Sequence, residues 1–138
     1  MSEQENTLLV QQTYDHFQSG DIPAVLDLLS EDVQGVTAEV EGAPLGGTLR
    51  GREQVGQFFQ SLSDIQEVRH FEPRDFVAQD DRVVALGHYA WHVKTTGRNW
   101  ESDFAHVFTV REGKVTRYQE YTDTAALAEA YREGGIAG

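Results

Sequence analysis

The sequence predicts an α+β fold in which helices pack on one side of a curved, mostly antiparallel sheet. Three observations carry that expectation. Apolar residues recur at three- and four-residue spacing through the first 62 residues, beyond Asp64 the period changes to two, and the alternating segments are separated by short runs of turn formers. Helices first and strands afterwards fit helices segregated to one face of a sheet better than alternating βα units.

Taken in order, Val10, Tyr14 and Phe17 mark a first helix from about Asn6 to Ser19, with Gly20 where it would end. Asp21 is placed to cap a short second helix, Pro23 suits its first turn, and Val25, Leu26, Leu28 and Leu29 supply its apolar face. Val33 to Val40 reads as a first strand, and Gly42, Pro44, Gly46 and Gly47 mark an irregular loop. Val55, Phe58, Phe59 and Leu62 define a third helix over Arg52 to Leu62. Four segments rich in Val, Tyr, Phe, Trp and Thr follow, near Glu67 to Ala78, Arg82 to Lys94, Asn99 to Arg111 and Lys114 to Thr122. Their separators are hairpin-sized, so a meander is expected, closed by a last helix from Thr124 to Tyr131 capped by Asp123. The 138 residues suit a single domain, 1–138, with an ordered core over about 6–132.

Composition narrows the partners. Eleven lysines and arginines against 23 aspartates and glutamates give a formal charge of -12, which repels phosphate backbones and anionic membranes, so neither nucleic acid nor membrane is an expected partner. Zero cysteines leave no disulfide, thiol nucleophile or thiolate metal site. The acidic opening Met-Ser-Glu-Gln-Glu-Asn has no signal-peptide character, and a cytoplasmic location is expected. No phosphate-loop or nucleophile-elbow signature is present.

Alternation assigns Tyr89 and Trp91 to one face of their strand, and His88 and His92 to the other. A two-residue turn at Gly97-Arg98 sets Trp91 opposite Phe104 and Tyr89 opposite His106. A three-residue loop around Glu112-Gly113 sets His106 opposite Tyr118 or Glu120, whereas a two-residue loop breaks that parity. One face then carries Tyr89, Trp91, Phe104, His106, Phe108, Tyr118, Glu120 and Thr122, an aromatic wall with a few polar groups that suits a pocket for a small apolar molecule. The same aromatics would equally fill a solid core. His106 between Phe104 and Phe108 is the candidate acid-base group, with Glu120 as partner and Tyr118 or Tyr89 polarising an oxygen; a core histidine with one structural hydrogen bond has the same pattern. No metal site is expected, since His88 and His92 lack further ligands at familiar spacing.

Four stretches carry a family resemblance: Ser19-Gly20-Asp21-Ile22, Leu29-Ser30-Glu31-Asp32-Val33, Gly51-Arg52-Glu53-Gln54-Val55, and Glu112-Gly113-Lys114-Val115 with Glu120-Tyr121-Thr122-Asp123. In this order they resemble the nuclear-transport-factor-two-like superfamily, in particular its SnoaL-like and ketosteroid-isomerase-related branch. The resemblance implies a cone-shaped, cystatin-like roll with a deep pocket, a homodimer through the sheet and no obligatory cofactor. It also implies pocket positions for Thr13, Thr37 and His106, where steroid isomerases carry a tyrosine, a base aspartate and a protonated aspartate. Tyr14, one residue from the tyrosine position and so turned about 100° around the helix, is expected in the core. Two functions are compatible with these features. One is a cofactor-independent isomerase, cyclase or hydrolase using His106, Glu120 and Tyr118; the other is a non-catalytic ligand-binding or dimerisation module.

Overall fold

Ser2 caps the first helix: its hydroxyl accepts from the Glu5 N–H, and the Glu5 carboxylate accepts from the Ser2 N–H. A computed structural model describes residues 2–132. Helix α1 spans Glu3–Gln18, three residues earlier than its apolar stripe suggested, because the capping box recruits the polar first turn. Asp21 caps α2 (Ile22–Asp27) through the Ala24 N–H, with Pro23 in the first turn.

Strands β1 (Leu29–Thr37) and β2 (Gly47–Arg50) precede α3 (Gly51–Ile65); β3 (Gln66–Gln79), β4 (Arg82–Val93), β5 (Asn99–Arg111) and β6 (Lys114–Tyr121) precede α4 (Thr124–Tyr131). The sheet order is β2-β1-β6-β5-β4-β3, antiparallel throughout except for the parallel pair β1 and β6. The last four strands are thus the expected meander. The parallel pairing explains why β1 starts at Leu29 and not Val33: Leu29 lies beside Val115 of β6. Strand β2 falls at the end of the segment expected to be irregular.

One register and one turn length differ from expectation. Trp91 lies opposite Trp100, Tyr89 opposite Ser102, Gly87 opposite Phe104 and Ala85 opposite His106. The turn at fault has four residues and not two. Val93 N–H bonds to the Arg98 carbonyl and Gly97 N–H to the Val93 carbonyl, both at 2.8 Å, with Gly97 in the left-handed region at φ 75°. The shift is an even number of residues, so every side chain keeps its face. At the next hairpin Arg111 pairs with Lys114 across a two-residue Glu112-Gly113 turn, both residues having positive φ. Parity is restored by a bulge: Val110 pairs with Val115 but Thr109 with Arg117, leaving Thr116 as an extra residue. His106 consequently faces Glu120, and Phe108 faces Tyr118.

Helices pack on the concave side over two clusters. Val10, Val33, Val55, Val83 and Val115 are fully buried in one; Tyr89, Trp91, Trp100, Phe104 and Tyr131 form the other. No described helix is long and apolar enough to cross a membrane.

Candidate functional site

Between these clusters lies a cavity of about 150 Å³, the order of size that holds a small aromatic ring. Its wall combines α1 (Thr13, Tyr14, Phe17), α3 (Phe58, Phe59, Leu62), the end of β1 with the following loop (Thr37, Ala38, Leu45), and the concave face of β4 to β6. Trp91, Trp100 and Tyr131 form an aromatic end.

The polar side is a hydrogen-bonded line. Tyr14 Oη lies 2.7 Å from His106 Nδ1, and His106 Nε2 lies 2.7 Å from Glu120 Oε2. Burial, and secondarily the Glu120 charge, push the Tyr14 phenol far above its ordinary pKa, so it remains a proton donor. With Tyr14 donating to Nδ1, a neutral imidazole carries its proton on Nε2 and donates it to Glu120. Both ring nitrogens are then occupied, and Glu120 Oε1 is the carboxylate oxygen that His106 leaves for another partner. The side chain of Glu120 is 25% exposed against 12% for His106, so the carboxylate is also the more accessible member. Beside it, Tyr89 Oη donates to Thr122 Oγ1 at 2.7 Å.

Of the residues singled out in the sequence, Tyr89, Trp91, His106, Phe108, Tyr118, Glu120, Thr122, Thr37 and Thr13 all line the cavity. Thr13 spends its hydroxyl on the Leu9 carbonyl at 2.9 Å, within its own helix. Phe104 does not line it. Its ring stacks behind His106 at 4.3 Å and fills the space over Gly87, where a Cβ would come within 2.6 Å of Phe104 Cζ. Phe104 is therefore a support for the imidazole. Phe104→Ala is expected to lower stability by about 3–5 kcal/mol, read from urea unfolding. A loss below about 1 kcal/mol would show that the stack carries little of the packing.

Tyr14 is the main residue that sequence reasoning placed elsewhere. It belongs to the core cluster as expected, but its hydroxyl reaches the site. The signal was its place in the inward stripe Val10, Tyr14, Phe17, which deserved more weight than the neighbouring Thr13. Trp100 was missed although it shares strand parity with Phe104 and His106. Tyr118 and Thr37 hold buried hydroxyl oxygens with no partner among the described residues, each an arrangement that costs about 1–3 kcal/mol.

On the outer face, His88 Nδ1 meets Asp103 Oδ1 at 2.9 Å and His92 Nδ1 meets Asn99 Oδ1 at 2.6 Å. Among the described residues no group of three or more His, Cys, Asp or Glu gathers as a metal site would require.

A profile of the SnoaL-like domain matches residues 10–118. An NTF2-like protein of Burkholderia xenovorans LB400 is 38% identical, with a TM-score of 0.86 and coverage of 96% of this chain and 99% of that one. TerC, crystallised with polyporic acid, is 29% identical, with a TM-score of 0.77 and coverage of 92% and 98%. A protein of Xanthomonas campestris pv. campestris, named as a candidate polyketide cyclase, is 26% identical, with a TM-score of 0.77 and coverage of 94% and 98%. Among curated proteins none matches.

Proposed function

Since this chain belongs to the SnoaL-like domain family, we propose that it is a cofactor-independent enzyme that moves a proton within a small apolar substrate, as an isomerase or cyclase. The observation that carries this reading is the Tyr14, His106, Glu120 line set into an apolar cavity. Glu120 Oε1 takes a proton from a substrate carbon next to a carbonyl. The electron pair passes into the carbonyl oxygen to give an enolate, and the proton returns at another carbon, or the enolate carbon adds to a second carbonyl carbon of the substrate, whose C=O π pair passes to its oxygen and takes up the proton from Glu120, closing a ring. His106 is the positioning residue: its Nε2–H fixes the carboxylate while Tyr14 fixes the ring. Removal of water by the aromatic wall strengthens these interactions.

Loss of isomerase identity at Thr13 and Thr37 favours a second reading, a module that binds the same molecules without converting them. The two are separated by screening small apolar ketones, with polyporic acid included because TerC was crystallised with it, for thermal stabilisation and for turnover. Turnover abolished in Glu120→Gln with stabilisation intact supports the enzyme. Stabilisation of wild type by compounds that are never converted supports the binding module.

The same reading includes a homodimer through the outer sheet face, where Val84, Ala90 and Val107 are half-buried and Leu86 is exposed. Light scattering is expected to give twice the chain mass, and Leu86→Lys to shift it towards one chain. A single-chain mass at every concentration would remove the dimer.

A further inference from the structure

The cavity hydroxyls divide into those already engaged and those not. Thr13 donates to the Leu9 carbonyl, Tyr14 to His106, Tyr89 to Thr122 and Tyr131 to Gln66 Oε1. Tyr118 and Thr37 line the same cavity with buried oxygens that have no partner among the described residues. Buried hydroxyls are almost always satisfied, and a pair that is not points to a group that arrives from outside the chain.

The backbone holds this pair in place. Gly35 of β1 lies beside Tyr118 of the parallel strand β6, and the phenol ring occupies the space a Cβ would need: Cε1 at 2.7 Å and the hydroxyl oxygen at 2.9 Å from that position. Thr37 is two residues further along β1, hence on the same face as Gly35. Burial, with the Glu120 charge second, raises the Tyr118 pKa well above the ordinary phenol value, so the group stays a donor.

We propose that Tyr118 and Thr37 form a docking point for one carbonyl oxygen, and that the site selects neutral ketones, lactones or quinones over carboxylates. Two donor hydroxyls match the two lone pairs of a carbonyl, while the aromatic end at Trp91 and Trp100 takes the apolar body. Selection against anions follows from the wall itself. Among its described residues there is no lysine or arginine, one carboxylate (Glu120) is present, and the whole chain carries a charge of -12. The inference deepens the proton-transfer reading by naming the substrate's electrophilic group, and it rests on that reading for its catalytic meaning but not for its binding test.

The test measures Kd by calorimetry for three probes of one shape: 1-tetralone, its hydrocarbon tetralin, and tetralin-1-carboxylate. Wild type is expected to prefer the ketone to the hydrocarbon by about 10-fold or more, from two hydrogen bonds to one oxygen, and to bind the carboxylate least. Tyr118→Phe and Thr37→Val are each expected to cut the ketone preference by about 2- to 10-fold without weakening tetralin binding. Thr37→Val leaves the Tyr118 ring untouched, so it stands as the independent variant should Tyr118→Phe misfold. A ketone that binds no better than tetralin, a preference unchanged in the double variant, or a carboxylate that binds as well as the ketone overturns the proposal. Turnover that persists in Glu120→Gln would instead sink proton transfer while leaving this preference intact, so the two failures are distinct.

Discussion

Glu120→Gln is expected to lower kcat/KM by about 10²–10⁴-fold, the usual contribution of a positioned general base, with ligand binding retained. The amide preserves shape and can still meet His106 Nε2 through its carbonyl oxygen, but it cannot take a proton from carbon. His106→Asn is expected to act differently. With the Nε2–H donor gone from Oε2, the carboxylate is no longer held in its catalytic orientation, so kcat falls more than KM changes. A purely structural histidine would leave the kcat-to-KM balance unmoved once folding is matched. Equal turnover in wild type and Glu120→Gln would remove Glu120 from the chemistry.

Stability is expected to collapse at alkaline pH. Tyr14, Tyr89 and Tyr118 each have a pKa raised above the ordinary value of 10.0, with burial as the main cause and the Glu120 charge next. Below pH 10 all three are protonated in both folded and unfolded chains, and their contribution is fully present. Above it the unfolded chain releases protons that the folded chain retains, so stability falls as pH rises, by at most about 1.4 kcal/mol per pH unit for each tyrosine. Three together give at most about 4 kcal/mol per unit. Urea midpoints between pH 8 and pH 11 should be flat to about pH 10 and then drop. With the exposed Tyr121 replaced by Phe, phenolate absorbance should appear only with unfolding, and Tyr118→Phe should reduce the slope. Phenolate formed in still-folded protein would show that water reaches these rings.

How far the sequence was readable follows from which quantity each feature depends on. Faces of β4 and β5 were legible because period two survives any even shift, as it did when the Gly97 turn took four residues. The registers were not, since they hang on hydrogen bonds within turns, such as Val93 with Arg98. Strand β2 has four residues next to glycines, too few to display alternation. Phe104 looked like a pocket residue because alternation gives side but not depth; the missing Cβ of Gly87 lets its ring sink onto the sheet. Tyr14 shows the reverse case, a core position whose polar tip extends beyond the core. The pairing of His106 with Glu120 was foreseeable as one of two outcomes, and it is reached through a single extra residue where the two-residue turn alone would set His106 opposite Gln119.

That extra residue, Thr116, lets the hairpin absorb a difference in chain length. Removing it would leave Val110 with Val115, Thr109 with Arg117 and Phe108 with Tyr118 as consecutive pairs of an unbroken ladder, so Tyr118, Glu120 and Thr122 would keep their cavity face. A protein on this scaffold could thus lose one codon beside the two-residue turn and keep its pocket chemistry, the bulge acting as slack between the turn and the wall.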